Sequence, residues 1–342
     1  MPRRWLWHQR HIKLLDGSTL SMSDTDRNRD VYPQQAAQKE GLGFPIARIV
    51  MLLSLATAMV SDMAIGPYQG KETGEPALFR EMFERLARGD IVLADRYYCS
   101  YFMICLLREL GVDFVVRLHQ RRTADFRRGR RLGNGDHVVV WMRPQRPEWM
   151  DVETYQRMPE SIEVREVEVQ VNQPGFRVES LVVVTTLVDA KRYTQEDLAE
   201  LYHQRWLVEL DIRAIKCTLG MDVLRCKTPE MVQREIWTCL LAYNLIRKSI
   251  LEAARQKGLS PRQLSFTAAM QKTAASYHAL VLLDETTAEQ LIQTHLSHLA
   301  KHLVGNRPNR VEPRAVKRRP KPHDLLNKPR DEARADLMAG KA

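Results

Sequence analysis

The sequence has few cysteines and no long apolar run. Its 342 residues include five cysteines and no CxxC pair, which argues against a disulfide-stapled secreted domain or a zinc site. The longest apolar run, from Ile49 to Val60, covers about 12 residues and contains Ser54 and Thr57, whereas a membrane helix needs about 20. The N-terminus also lacks the apolar segment of a signal peptide. We therefore expect a cytoplasmic protein with buried, reduced thiols.

Positive charge is in excess, and it is concentrated in two segments. The chain carries 52 Lys and Arg against 42 Asp and Glu, a net charge of +10. Residues 117–131 hold seven arginines and one aspartate, and residues 301–342 hold 12 basic and five acidic residues. Such clusters attract polyanions, because arginine pairs with phosphate through two N–H groups. The pattern predicts a nucleic-acid partner; the alternative is a solubilising tail together with a charged loop.

The first 120 residues alternate between short apolar runs and segments with helical spacing. The predicted elements are a strand at 10–16, strands between 46 and 65, a helix at 75–88, a strand at 91–95, a helix at 101–110 and a strand at 114–118. This alternation is typical of an α/β sheet with parallel strand pairs. Residues 120–190 instead contain strand-like runs between turns. Beyond them we predict helices at 195–219 and 229–257, shorter helices to about residue 303, and a basic tail.

Two aspartates lie where these predicted strands end. Asp16 precedes Gly-Ser-Thr, and Asp95 closes the run from Ile91. Carboxylates at the carboxyl ends of strands point into the usual ligand crevice of an α/β sheet. The alternative is that each aspartate only caps a turn or a helix. Asp24 and Asp90 are competing acids nearby.

A third acid lies in the predicted helix at 195–219. Tyr202, Arg205, Glu209 and Lys216 are spaced three, four and seven residues apart, which puts all four on one stripe of a helix. Such a stripe presents one acid between two cations and a phenol. The alternative is a solvated face with an Arg205–Glu209 pair that contributes little.

The same four residues resemble the tyrosine-arginine-glutamate-lysine signature of the insertion-sequence-four family of DDE transposases. The segments Leu15–Thr19 and Leu93–Arg96 resemble the contexts of the family's first and second aspartates, and Asn309–Lys321 resembles its basic C-terminal motif. The resemblance implies an RNase H-like catalytic core, with a β-rich insertion between the second Asp and the catalytic Glu and with C-terminal helices. It implies that Asp16, Asp95 and Glu209 are catalytic and bind metal. Tyr202, Arg205 and Lys216 are then expected to bind DNA phosphates.

The resemblance also implies an organisation and a reaction. The expected divisions are a discontinuous core at 1–119 and 191–260, the insertion at 120–190, C-terminal helices at 261–303 and a basic tail at 304–342. Two Mg²⁺ ions, which Mn²⁺ can replace, are expected to support cleavage at transposon ends and strand transfer into target DNA. The partners are end and target DNA, bound by a homodimer at the nucleoid. Family members usually carry an N-terminal DNA-recognition domain, which we expect this chain to lack because only 15 residues precede Asp16.

The sequence leaves two rival functions open, and it leaves open the roles of two tryptophans. A truncated, non-catalytic regulator that binds DNA with an intact transposase is one rival, and a two-metal nuclease without strand transfer is the other. Family members that form a hairpin at the transposon end stack a flipped base on an aromatic near the insertion. Trp141 and Trp149 lie in or beside this region; Trp141 is a candidate for that role, with core packing as the alternative.

Overall fold

A computed structural model of the chain describes residues 2–170, 180–305 and 327–340. Its strands are β1 (Ile12–Ser21), β2 (Ile46–Ser54), β3 (Val60–Pro67), β4 (Ile91–Ala94), β5 (Asp113–Arg117), β6 (Arg130–Gly133), β7 (Asp136–Met142), β8 (Ser161–Gln170) and β9 (Ser180–Thr185). Its α-helices are α1 (Asp26–Val31), α2 (Glu75–Arg80), α3 (Tyr101–Glu109), α4 (Val152–Arg157), α5 (Gln195–His203), α6 (Leu207–Arg213), α7 (Pro229–Lys257), α8 (Phe266–Leu282), α9 (Glu285–Leu299) and α10 (Arg330–Met338).

All nine of these strands form one mixed sheet, in the order β3-β2-β1-β4-β5-β9-β8-β7-β6. Strand β1 is antiparallel to β2 and parallel to β4, and β4 is parallel to β5. The remaining strands pair in antiparallel fashion, and β9 joins them to β5. The predicted mixed α/β fold with C-terminal helices is therefore confirmed. The strands between residues 120 and 190 continue the same sheet.

Helices cover both faces of this sheet because its central strands are apolar on both sides. Neighbouring residues of one strand point to opposite faces. Leu14 belongs to the core under α5 to α9, whereas Leu15 belongs to the core under α2 and α3. All four residues of β4 are buried. The carboxyl end of β4 therefore lies between two packed cores, one on each face of the sheet.

Local sequence signals place several helix ends. Helix α7 begins after Thr228, whose side chain accepts a hydrogen bond from the backbone N–H of Met231, and Pro229 occupies its first turn. It ends at Gly258, which adopts a left-handed conformation with φ of 69°. The prediction of a helix at 229–257 is confirmed.

Two predicted helices are less regular than expected. The helix predicted at 75–88 is α-helical only over α2. Beyond it the backbone N–H groups bond to carbonyls three residues earlier instead of four, which forms a 3-10 turn at Phe83–Arg85. The helix predicted at 195–219 is helical throughout, but it tightens to a 3-10 turn at Gln204–Trp206 and widens to a π-helix at Ala214–Thr218. Single π turns within helices are frequent at functional sites.

The described part of the basic tail packs back on the chain. Arg330, in α10, lies 3.0 Å from Asp24 and donates to the backbone oxygens of Leu42 and Gly43. Its guanidinium also covers the ring of Phe44, 3.5 Å from the ring centroid. The resemblance at Asn309–Lys321 lies outside the described residues. In the described ranges no helix is both long enough and apolar enough to cross a bilayer.

Candidate active site

Asp16 and Asp95 lie beside each other at the end of β4. Asp16 is in the middle of β1 and not at its end, as the sequence had suggested, because the second half of β1 continues to pair with β2. Strand β4 stops at Ala94, and its parallel register with β1 aligns Leu14 with Leu93. Continued by two residues, this alignment brings Asp16 next to Asp95, the first residue after β4. Both side chains line one open cavity.

The two carboxylates are held by backbone N–H groups. Asp16 accepts a hydrogen bond of 2.9 Å from the N–H of Gly17. Asp95 accepts one of 2.8 Å from the N–H of Tyr97 and so caps the 3-10 turn that follows it. Asp95 therefore does cap a turn, as the alternative interpretation expected. Only one of its carboxylate oxygens accepts the capping hydrogen bond, so the other oxygen can still bind a ligand.

Burial dominates the electrostatics of Asp16. Desolvation raises the pKa of Asp16 to about 7; the N–H of Gly17 and the charge of Arg205 oppose this rise, and Asp95 and Glu75 add to it. An ionised Asp16 is therefore insufficiently neutralised by the chain itself. Such a group favours an added cation, and strongly perturbed acids in a cleft are typical of functional sites.

The cavity contains a third carboxylate that the sequence analysis missed. Its lining combines acids with basic, aromatic and amide side chains: Asp16, Arg48, Glu75, Asp95, Arg96, Tyr97, His119 and Gln120. Glu75 lies 59 residues from Asp16 at the start of α2, so no local motif marks it. The one available signal was the glycine at position 17, in the interior of a strand. His119 and Gln120 also show that the arginine-rich segment 117–131 begins at this cavity.

Arg205 connects Glu209 to Asp16. Its Nη2 donates to Glu209 Oε1 at 2.9 Å, and its Nη1 lies 3.9 Å from Asp16 Oδ2. The Arg205 side chain is 18% exposed and that of Glu209 is 37% exposed, so the pair does not form a fully solvated face. Burial alone lowers the pKa of Arg205, but Tyr202, Glu209 and Asp16 outweigh it and the net shift is upward. The structure thus brings Asp16, Arg205 and Glu209 together.

Tyr202 and Lys216 occupy the two ends of this arrangement. Tyr202 is buried, and desolvation raises its pKa to about 12, so its hydroxyl stays protonated at neutral pH. Lys216 lies in the π-helix and donates to Ser18 Oγ at 3.0 Å and to the backbone oxygen of Thr19 at 2.7 Å. Lys216 therefore ties this helix to β1 close to Asp16.

The competing acids have other partners. Asp24 lies 3.3 Å from Arg29 and 3.0 Å from Arg330. Asp90 is buried and accepts a hydrogen bond from the N–H of Ala87 at 3.1 Å. Neither belongs to the cavity lining.

The two tryptophans near the insertion are packed. Trp141 is buried, its Nε1 donates to Glu166 at 3.1 Å, and the guanidinium of Arg122 covers its ring at 4.0 Å. Trp149 packs against Phe102 and lies under Arg80 at 3.9 Å. These contacts favour core packing for Trp141 over the stacking of a flipped base.

A comparison with family models decides the identity. The model described as the transposase DDE domain matches residues 7–245, which is more than half of the chain. The chain belongs to the transposase DDE domain family. It is thus a DNA transposase of the DDE type.

Individual relatives of this DDE transposase cover different shares of it. It is 27% identical over 319 residues to transposase InsG for insertion sequence element IS4 of Escherichia coli K12, which is 92% of this chain and 69% of that protein. It is 37% identical over 65 residues to the InsL transposase for element IS186A of the same organism, 19% of this chain and 18% of the relative. A piggyBac transposase in a synaptic complex with hairpin DNA aligns over 87% of this chain and 58% of its own, at 9% identity and a TM-score of 0.45.

Transposases of the DDE type generally use divalent metal ions, and the donor set of this site fits such an ion in its chemistry. Carboxylate oxygens are the ligands that hard divalent cations prefer. Asp16 and Asp95 share the cavity, while Glu209 is paired with Arg205. Accordingly, within residues 2–170, 180–305 and 327–340 no three His, Cys, Asp or Glu side chains are close enough together to hold a metal as they stand.

Proposed function

We propose that this transposase cleaves DNA at transposon ends and transfers the freed strand into target DNA, using Asp16, Asp95 and Glu209. One observation carries the proposal: the β1–β4 register brings Asp16 beside Asp95, and Arg205 links that pair to Glu209 on α6. Three carboxylates that are distant in sequence are thus connected through one arginine. A phosphodiester-cleaving metal site needs such acids near one another.

We further propose an RNase H-like core at 1–119 and 191–260. The order β3-β2-β1-β4-β5, with three antiparallel strands followed by two parallel ones, supports this. The segment 120–190 is then an insertion that widens the same sheet through β9. Residues 261–303 supply the C-terminal helices, and 304–342 form the basic tail.

The proposed metal ligands are Asp16, Asp95 and Glu209. The proposed ions are two Mg²⁺, for which Mn²⁺ can substitute, and when bound they stabilise the attacking and leaving oxygens as Lewis acids. The chain's own part is to hold the carboxylates: Gly17 and Tyr97 fix two of them through backbone N–H groups. Arg205 keeps the third within reach.

The proposed phosphate ligands are Tyr202, Arg205 and Lys216. Arg205 presents a planar set of donors that matches a phosphate as well as it matches Glu209. Lys216 is hydrogen-bonded to two neutral oxygens, so its positive charge still acts on a phosphate nearby. Tyr202 is buried beside Arg205 and offers only its hydroxyl. The proposed DNA partners, bound by a homodimer, then lie along the arginine-rich segment that starts at the cavity.

An assay with a pre-nicked element end tests this function. The substrate is a duplex carrying the element's own terminal sequence, incubated with Mg²⁺ and a target duplex. We expect the unaltered chain to join the end to the target. Asp16→Asn, Asp95→Asn and Glu209→Gln should each reduce joining on the order of 10³-fold or more, with DNA binding retained.

The matched control is Asp26→Asn, which removes an acid whose side chain is 92% exposed and should leave joining unchanged. Cleavage without joining by the unaltered chain would instead identify a nuclease. Binding without either reaction would identify a regulator. Normal joining by any of the three site variants would remove that residue from the proposed site.

A further inference from the structure

Glu75 is a carboxylate in the cavity for which the proposed triad has no role. It is the first residue of α2, after Gly74 and before Pro76. Its side chain shares the cavity lining with Asp16 and Asp95. Burial is the largest cause of an upward shift in its pKa, and the charge of Asp95 adds to that shift.

The glycine at position 17 makes room for this carboxylate. A Cβ atom at Gly17 would lie 2.4 Å from both Cδ and Oε1 of Glu75. Gly17 is not among the residues with positive φ, so its backbone conformation is open to any residue. A glycine inside a strand costs stability, and close approach of another group is a common reason for one. Here the approaching group is the Glu75 carboxylate, which lies close to Gly17, the residue after Asp16.

Tyr98 fixes the other side of the same carboxylate. Its hydroxyl donates to Glu75 Oε2 at 3.2 Å, and the residue is buried. Burial holds the pKa of Tyr98 well above its usual value, so the hydroxyl remains a donor. Tyr98 lies three residues after Asp95, at the end of the 3-10 turn that Asp95 caps. The Glu75 carboxylate is therefore fixed between the two segments that carry Asp16 and Asp95.

We propose that Glu75 is a fourth carboxylate of the cation site, binding the divalent ion together with Asp16 and Asp95. This inference rests on the proposed function, since it assumes that the cavity binds that ion. Oε2 of Glu75 accepts the hydrogen bond from Tyr98, and Oε1 lies close to Gly17, the residue after Asp16. Arg48 also lines the cavity; its guanidinium covers the Tyr68 ring at 4.6 Å and donates to the backbone oxygen of Thr73. Three acids, Asp16, Glu75 and Asp95, thus line the cavity in which an ion is proposed to bind.

Titration of the full chain with Mn²⁺, in the absence of DNA, tests this role without relying on activity. Binding is followed by the electron paramagnetic resonance signal of free Mn²⁺. Glu75→Gln keeps the shape of the side chain and removes its charge, and we expect it to weaken Mn²⁺ binding about 10- to 100-fold. The matched control is Glu81→Gln, an exposed acid just beyond the other end of α2, which should bind Mn²⁺ like the unaltered chain.

Tyr98→Phe separates a ligand from a merely structural acid. It removes the hydrogen bond but keeps the charge of Glu75, so we expect a smaller loss of Mn²⁺ affinity than in Glu75→Gln. An equal loss in Tyr98→Phe and Glu75→Gln would contradict the proposal, because the hydrogen bond would then explain both. Should Glu75→Gln fail to fold, Gly17→Ala carries the test: its added methyl displaces the carboxylate and should weaken Mn²⁺ binding by a similar factor.

The failure of this inference is distinct from a failure of the proposed function. If Asp16→Asn loses Mn²⁺ binding while Glu75→Gln and Gly17→Ala keep it, Glu75 is not a ligand and the triad stands. If the unaltered chain does not bind Mn²⁺ at all, both proposals fail.

Discussion

Asp211, which is buried, and Asp16, which is half-buried, lie in contrasting surroundings. Asp211 is on α6, and its carboxylate meets Arg247 at 3.1 Å and Arg262 at 2.8 Å. These contacts join α6 to α7 and to the turn that follows it. Asp16 accepts a hydrogen bond from the backbone N–H of Gly17. Its nearest cation is Arg205, which lies 3.9 Å from Asp16 but 2.9 Å from Glu209.

The contrast separates an acid that maintains the fold from one available for chemistry. Asp211 is neutralised by two cations within the chain, as buried charges in a stable core must be. Asp16 is half-buried without such neutralisation, and desolvation raises its pKa to about 7. Asp136 in β7 is neutralised in the same way as Asp211. It pairs with Arg165 in β8 at 2.5 Å, and both side chains are buried. At the cavity, by contrast, Asp16 is only weakly paired.

Removing Asp211 should have the largest effect on stability. Asp211→Asn leaves the buried guanidinium of Arg247 without its counter-charge, and breaking such a pair costs about 3–5 kcal/mol. The midpoint of urea unfolding measures this loss. Asp16→Asn is the matched comparison, and we expect it to unfold at an equal or higher urea concentration. Similar losses in both variants would erase the distinction between the two acids.

The pH dependence of stability should distinguish Asp16 next. Its pKa is about 7 in the folded chain, against 3.8 for an ordinary aspartate, so the folded chain keeps a proton that the unfolded chain releases. The contribution of Asp16 to stability is therefore complete below pH 4 and is lost as the pH rises to 7. The total is a few kcal/mol, at about 1.4 kcal/mol per pKa unit.

The readout is the difference in unfolding free energy between the unaltered chain and Asp16→Asn, measured in EDTA from pH 4 to 8. We expect this difference to fall steadily over the range. A constant difference would mean that Asp16 is already ionised at pH 4 in the folded chain.

Arg330 tests whether an arginine of the basic tail belongs to the fold. It contacts Asp24, two backbone oxygens and the Phe44 ring. We expect Arg330→Ala to destabilise the docking of α10 by about 1–3 kcal/mol and to speed proteolysis after residue 327. The control is Arg334→Ala, whose side chain is 64% exposed. Equal proteolysis of the two variants would assign Arg330 to the solvated tail.

Arg205 and Lys216 should show a smaller effect, which is measured on DNA binding. Removing a cation that binds one phosphate lowers the slope of log affinity against log salt by about 1. We expect this for Arg205→Ala and for Lys216→Ala on end DNA, with no change for Arg255→Ala, an exposed arginine of α7. An unchanged slope in both site variants would assign the two residues to the fold, together with Arg247.

The sequence was sufficient where local signals decide the structure. Thr228, Pro229 and Gly258 mark both ends of α7, and an uninterrupted apolar run marks β4. Asp95 follows directly from the end of that run. These features depend on neighbours in the chain, so they could be predicted from it.

The rest depends on partners far away in the sequence. Strand β1 continues past Asp16 because β2 pairs with its second half. The residues next to Asp16 in the sequence do not predict this pairing. Glu75 reaches the cavity only through tertiary packing against Gly17 and Tyr98. The π-helix that carries Lys216 likewise accompanies a contact with β1, about 200 residues away. Such features need the folded structure.

Cleavage of the backbone by bound iron tests the central claim most directly. Fe²⁺ in place of Mg²⁺, with ascorbate and peroxide, produces hydroxyl radicals that cut the chain close to the ion. We predict fragments that end near Asp16, Asp95 and Glu209 and that disappear when excess Mg²⁺ competes. Cuts elsewhere in the chain, or no cuts that Mg²⁺ suppresses, would contradict a metal site at the end of β4.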